Sequence, residues 1–263
     1  MISRPRSDRL PSVDDELARI TTWVERSGRA LELRVARIFQ RAGADVRMSH
    51  PYMGQQQARE TDVLADFPWL ALGNADARVT VIVECKHSAD KPWVAFYDDT
   101  SNWPMDSLDD WAAFAHGTFP ALTEDLVPLW RGHVPFTAPR TAALVVSALG
   151  AERNDKNFAN NAVRQALSAS AAQRLEYLRL DEPSRRGLVV LSVVATTAHL
   201  YDSWLDGDGQ LVITPVDGFD VWGHDAHGQR RRVFVRNEAA LRDLAEGLRN
   251  RVIDAERLAR SQE

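Results

Sequence analysis

The chain of 263 residues holds a single cysteine, Cys85, and only three lysines, Lys86, Lys91 and Lys156, so its positive charge is almost wholly arginine. One cysteine cannot close an intrachain disulfide or build a cysteine-based zinc site, and such usage suits a reducing cytosol. No apolar run approaches the roughly 20 residues that a membrane-spanning helix needs, so no membrane association is expected. Met1 to Leu10 carries arginine but no apolar stretch, which gives no sign of a secretory signal; a cytoplasmic location is expected. An excess of positive charge is also missing. The net charge of -5 argues against a general nucleic-acid binder, which would usually be basic. There is no Gly-x-Ser-x-Gly elbow for a serine hydrolase, no internal repeat and no low-complexity tract.

What is present begins with 44% hydrophobic residues, enough to bury a substantial core in one elaborated domain, or in a domain plus a small appendage. Charge is unevenly spread. Asp98 to Asp125 is acidic and lacks lysine and arginine, whereas Arg26 to Arg59 and Arg230 to Arg260 are arginine-rich. A basic face with an acidic insertion elsewhere is compatible with contact to a phosphate backbone. Solvated helix faces are the plainer explanation, above all for the last helix.

The most informative feature is Glu84-Cys85-Lys86 at the end of the apolar run Val79 to Val83. Along a strand side chains alternate, so Thr80, Ile82, Glu84 and Lys86 share one face while Val79, Val81, Val83 and Cys85 share the other, toward a core. Thr61 to Phe67 also has strand character, and Pro68 to Arg78, with Gly73, Asn74 and Asp76, has the turn chemistry to reverse the chain. Asp62 is therefore expected beside Glu84. Two carboxylates at a strand end repel each other unless a cation is shared between them, and Mg2+ would complete its octahedral shell with a backbone carbonyl, water and a phosphate oxygen. Lys86 could then orient water or neutralise developing charge. A plain Glu84–Lys86 salt bridge at a sheet edge is the competing structural explanation.

These residues resemble the PD-(D/E)XK, or restriction-endonuclease-like, superfamily: a helix carrying a glutamate, then three strands, with an aspartate on the second and Glu-x-Lys on the third. The helix is read as Gly28 to Ala42 with Gly43 as its stop, and the strands as Asp45 to Met53, Arg59 to Phe67 and Val79 to Lys86. Gly28 to Ala42 looks like the opening helix of type IV restriction enzyme and Holliday-junction resolvase catalytic domains. The good match covers roughly residues 28 to 95. Thr61 stands where the family often has proline, and a long segment precedes the next strand.

The resemblance implies an α/β, three-layer fold with a central mixed β-sheet flanked by helices. Residues 1–26 would be a helical extension, 27–200 the catalytic core with an insertion at about 92–139, and 201–263 C-terminal strands and a helix packed on the core. It also implies Asp62, Glu84 and the Cys85 backbone carbonyl as metal ligands, Lys86 as the catalytic lysine and Glu32 as the helix carboxylate. Mg2+ would be the cofactor, with Mn2+ able to substitute, and DNA the partner. Superfamily members are often homodimers. Independently, Leu31, Val35, Ile38, Phe39 and Ala42 form an apolar stripe, and Glu32, roughly 20° from Phe39 around the helix, borders it. A pair with Arg29 or Arg34, or a solvated flank, is the alternative for that residue.

Elsewhere, Val13 to Arg26 reads as an amphipathic helix capped by Ser12 and packing on the core. Lys91 to Pro139 reads as an irregular insertion or lid with a candidate helix at Leu108 to His116. Its aromatics Trp93, Phe96, Trp103, Trp111, Phe114, Phe119 and Trp130 suit a core better than base stacking. Thr141 to Ala148 and Leu188 to Thr196 read as strands joined through a helix, Asp155 to Arg179. On that helix Gln165 lies at the centre of a face with Phe158, Ala162, Ala166 and Ala169, a speculative substrate or water contact. Leu200 to Leu205, Leu211 to Pro215 and Arg232 to Val235 read as shorter strands. Glu238 to Leu258 reads as a helix with Leu241, Leu244, Leu248 and Val252 inward. Asp206 to Gly209 is a turn, and His224-Asp225-Ala226-His227 a loop rather than a metal pair.

The leading expectation is a metal-dependent deoxyribonuclease, hydrolysing phosphodiesters through a metal-activated water in restriction, defence or repair. The alternative is a catalytically inactive module of that fold that binds nucleic acid or a protein partner.

Overall fold

The computed structural model describes residues 12–54, 57–69, 76–88, 90–97, 140–149, 158–179, 186–225 and 228–261. Most of the expected insertion, including Leu108 to His116 and the aromatics from Trp103 to Trp130, lies outside these residues.

The first helix, α1, is Val13–Arg26, and Ser12 caps it by accepting the Asp15 N–H at 3.1 Å. Helix α2 is Arg29–Arg41. It opens at Gly28, whose φ of 82° belongs to the left-handed region, and closes with a double turn: the Gly43 N–H donates to the Gln40 carbonyl and the Ala44 N–H to that of Phe39. Gly43, with φ of 88°, makes this termination without a Cβ penalty. Gly43→Ala should cost about 1 kcal/mol in urea unfolding while leaving the fold intact; an unchanged midpoint would show that this turn is not holding the helix end.

Three strands follow as an antiparallel meander, β1 (Asp45–Met53), β2 (Ala58–Trp69) and β3 (Asp76–Lys86). Beyond them come β4 (Trp93–Phe96), β5 (Leu144–Ser147), α3 (Phe158–Leu178), β6 (Arg186–Thr196), β7 (Leu200–Leu205), β8 (Leu211–Val216), β9 (Gly218–His224), β10 (Arg230–Arg236) and α4 (Glu238–Ser261). The main sheet runs β1-β2-β3-β6-β10-β9, with β6 parallel to both β3 and β10. A second sheet runs β5-β4-β7-β8.

Alternation along the central strands divides the core. Val63, Ala65 and Phe67, Val79, Val81 and Val83, and Val189, Leu191 and Val193 pack with Leu31, Val35 and Phe39 of α2 and Leu241, Leu244 and Leu248 of α4. The opposite face presents Leu64, Ile82 and Val190 to Ala169 and Tyr177 of α3. Helices thus cover both faces, which is why β3 and β6 read as near-continuous apolar runs. The class is mixed α/β.

Several expectations need correction. Trp93 to Phe96 is not irregular: it is β4, and Trp93 is fully buried with its ring edge-on to Phe158 at 6.2 Å. Thr141 to Ala148 is strand only over β5, and because β5 belongs to the second sheet, it does not form a β-α-β unit with β6. The parallel neighbour of β6 on the site side is β3. Strand β9 carries no clear apolar alternation, since Gly218 and Gly223 interrupt it. Packing requires both, a Cβ at Gly223 falling 2.5 Å from Leu167 Cδ1 and one at Gly218 2.8 Å from the Val235 carbonyl. Strands β9 and β10 join the same sheet as β1 to β3, so it continues past residue 200. Finally, α1 lies against α2, with Glu25 pairing with Arg34 at 3.2 Å, but buries none of its own residues on the core.

Candidate active site

Strand β2 pairs with β3 from Trp69–Ala77 to Val63–Val83, and there the ladder stops. The next opposed positions are Asp62 and Glu84, and directly opposed residues of an antiparallel pair project from the same face. The sequence expectation that these two carboxylates share a side therefore agrees with the register. The reason for the stop is local. The Cys85 N–H, which would otherwise meet the backbone of Thr61, donates to Asp62 Oδ2 at 2.7 Å. Because the N–H and C=O of one strand residue point to the same edge, the Cys85 carbonyl faces the gap that Asp62 opens. The far side of the strand end is fixed by β6, where Thr196 Oγ1 and the Thr197 N–H both donate to the Lys86 carbonyl, at 3.0 and 3.3 Å.

Glu84 is buried and ion-paired with Lys86. That contact alone would satisfy the plain salt-bridge explanation, so the electrostatic balance has to decide. An adequately compensated carboxylate titrates low. Here burial, followed by repulsion from Asp62, holds Glu84 up at about 7 against an ordinary 4.5, and the attraction of Lys86 does not offset them. Asp62 is also raised, first by burial and then by Glu32, despite the Cys85 hydrogen bond. Asp66, beyond Leu64 on the same face of β2, is the informative contrast. It is buried where Asp62 is half-buried, but Arg47 pairs with it at 2.5 Å, Arg78 lies at 3.9 Å and Thr80 Oγ1 donates to it. Asp66 is a structural carboxylate with its own counter-ions; Asp62 has none in direct contact among the described residues.

Glu32 reaches this region from α2, on the other face of the sheet. It is buried, and Arg29 Nη1 pairs with Glu32 Oε2 at 2.6 Å. That is the pairing alternative considered for it, yet its charge also acts on Asp62, Glu84 and Cys85. Burial pushes the Cys85 thiol well above its usual range, with the three carboxylates adding to the effect. Three carboxylates against Lys86 and Arg29 leave one net negative charge in a poorly hydrated place. The donors offered to a cation are the Asp62 and Glu84 carboxylates and the Cys85 carbonyl. Among the described residues, no group of three or more His, Cys, Asp or Glu side chains is gathered closely enough to hold a metal ion by itself. An ion here would consequently depend on the carbonyl and water for most of its shell, as Mg2+ commonly does.

Gln165 is half-buried at the edge of the α3 contact face, not at its centre, which Ala162 and Ala166 occupy. It stands one helical turn before Ala169, which clusters with Leu64 and Ile82, and so flanks the β2–β3 side of the helix. No hydrogen bond joins it to Asp62 or Glu84.

Two features escaped the sequence reading as parts of the site. Arg29 reads in the sequence only as a partner for Glu32, not as a charge that also acts on Asp62. The Thr196-Thr197 pair that pins Lys86 and, through Thr197 Oγ1, holds the Ser88 N–H at 2.9 Å and contacts His87 Nδ1 at 3.1 Å, could have been suspected only from two hydroxyls closing a long apolar strand. His224 ends β9 and Asp225 closes a turn by accepting the Gln229 N–H, while Ala226 and His227 lie outside the described residues. Asp206 likewise caps the β7–β8 turn, accepting the N–H groups of Asp208 and Gln210. No helix among the described residues is long and apolar enough to cross a membrane.

Comparison with family models, with curated proteins and with solved structures gives no match to this chain.

Proposed function

We propose that this protein is a metal-dependent deoxyribonuclease of the restriction-endonuclease-like class, hydrolysing phosphodiester bonds with Mg2+ or Mn2+. The observation that carries the reading is the pair Asp62 and Glu84 at the point where the β2–β3 ladder opens, only partly compensated by Lys86, with the Cys85 carbonyl facing the same gap. The order α2, three antiparallel strands, α3 and a strand parallel to the third supports it. When bound, the divalent ion would polarise a phosphate oxygen and lower the pKa of water. Asp62, its orientation fixed by the Cys85 amide, and Glu84 would hold it. Lys86 supplies a compact positive charge suited to orienting the attacking water or to meeting charge that develops on the phosphate. Glu32 adds negative charge that favours the ion, and Arg29 limits that surplus.

Supercoiled plasmid and single-stranded DNA, incubated with the purified protein and Mg2+ or Mn2+, should be cut, and EDTA should stop the reaction. Preparations that never cut either substrate with either ion would refute the proposal. Glu32→Gln should lower the rate about tenfold, as expected of a residue acting on the metal from behind its ligands, and should weaken the ion's apparent affinity. An unchanged ion requirement would return Glu32 to a purely structural pair with Arg29.

A second reading is favoured by one specific observation, the closed Glu84–Lys86 ion pair in a chain of net charge -5. It is a non-cleaving module of the same fold that binds nucleic acid or protein. Calorimetry separates the two: a folded protein that takes up neither Mg2+ nor Mn2+ belongs to the second.

A further inference from the structure

Among the described residues, helix α1 leaves most of its apolar side uncovered. Val13, Leu17, Ile20 and Trp23 are 81, 60, 51 and 65% exposed, and no residue of the helix is buried. Isolated apolar residues on a surface are ordinary, but a continuous stripe along about three turns marks an interaction surface. Val13, Leu17 and Ile20, with the half-buried Val24, step by four, three and four residues, the spacing of a helix–helix seam, and the exposed Trp23 flanks them.

We propose that α1 pairs with α1 of a second copy of this chain, antiparallel, about a two-fold axis between Leu17 and Ile20. Three properties of the helix select this occupant. The seam is self-complementary under that operation: Val13 meets Val24 of the second copy and Leu17 meets Ile20, each pair occurring twice, as an isologous interface requires. The first turn carries Asp14, Asp15 and Glu16 and the last carries Arg26. An antiparallel pair brings the acidic first turn toward Arg26, in a last turn whose Glu25 is already paired with Arg34, and opposes the two helix dipoles, whereas a parallel pair would stack six acidic side chains. The polar side, with Asp14, Asp15, Glu16 and Glu25 against Arg19 and Arg26, has the wrong sign for an anionic lipid surface. The interface is small, so the association is weak and reversible. It does not rest on the nuclease reading.

Sedimentation equilibrium of the full chain from about 1 to about 200 µM, the range suited to a weak dimer, tests it. The wild type should show a reversible monomer–dimer equilibrium. Leu17→Glu with Ile20→Glu should raise the dissociation constant at least about thirtyfold. Because α1 contributes nothing to the core, that variant should keep the wild-type circular dichroism and unfolding midpoint. Nitroxide labels on Ser12→Cys should lie on the order of 20 Å or more apart in the dimer, the offset of antiparallel helices at 1.5 Å per residue. A wild type that stays monomeric throughout overturns the proposal, as would be the case if vesicles of anionic lipid or the chain's own residues covered Trp23. A dimer that survives both glutamates, or Ser12 labels in close contact, overturns it equally.

Discussion

Asp62→Asn should reduce metal-dependent DNA cleavage on the order of a thousandfold, the scale seen when a group that stabilises charge in the transition state is removed. The substitution is nearly isosteric, and an amide oxygen can still accept the Cys85 N–H, so the strand end should keep its shape while losing the charge. Glu84→Gln should be equally damaging. Asp66→Asn is the control, because it removes a second carboxylate from the same face of β2, and a more buried one. Its partners are Arg47, Arg78 and Thr80, so it should lower stability by about 1–3 kcal/mol and leave kcat within about threefold in the surviving folded protein. If Asp62→Asn and Asp66→Asn lowered cleavage alike, their effect would be on folding, and Asp62 would have no special part in the chemistry.

The metal-free protein should lose stability as pH rises from about 5 to about 8. Glu84 titrates at about 7 in the folded chain against 4.5 ordinarily, so between those values the folded state holds a proton that the unfolded state has released. Its contribution is fully present below the unfolded value and is lost as pH rises through 7; Asp62, raised as well, works in the same direction. The gap between 4.5 and 7 corresponds to about 3 kcal/mol, equivalent to a fall of roughly 6–12 °C in Tm for a domain of this size. Glu84→Gln should flatten the profile, because a neutral amide has nothing to release. Divalent ion should restore stability at pH 8 and not at pH 5, since it competes with the proton for the same oxygens. A wild-type profile that matches Glu84→Gln in EDTA would mean that the carboxylate is well compensated and that nothing at the site calls for a cation.

The parts of the fold that were legible in the sequence are those where one local rule dominates. Ser12, Gly43 and the apolar periodicity around Phe39 fix the first two helices to within a residue or two, and unbroken β-branched runs mark β3 and β6. Asp62 and Glu84 could be brought opposite each other because strand alternation and a turn-rich connection leave little freedom of register. What was not legible depends on partners distant in sequence. Trp93 looks like an insertion residue until β7 arrives beside it, and β9 is disguised by the glycines that let α3 and β10 approach. Local amphipathicity predicts that α1 will bury a face but cannot say against what, and the rest of the described chain does not cover it. At the site, the difference between Asp62 and Asp66 is invisible in sequence. Both alternate onto the same face of β2, and it is Arg47 from β1, with Arg78 and Thr80 from β3, that compensates one of them.

The convergence of Asp62 and Glu84 on a divalent cation is tested most directly by titrating the EDTA-stripped protein with Mn2+ and following free ion by electron paramagnetic resonance. One Mn2+ should bind per chain, Mg2+ should displace it, and Asp62→Asn or Glu84→Gln should abolish the uptake while Asp66→Asn does not. Wild-type protein that takes up no Mn2+, or takes it up equally well without Asp62 and Glu84, would contradict the account.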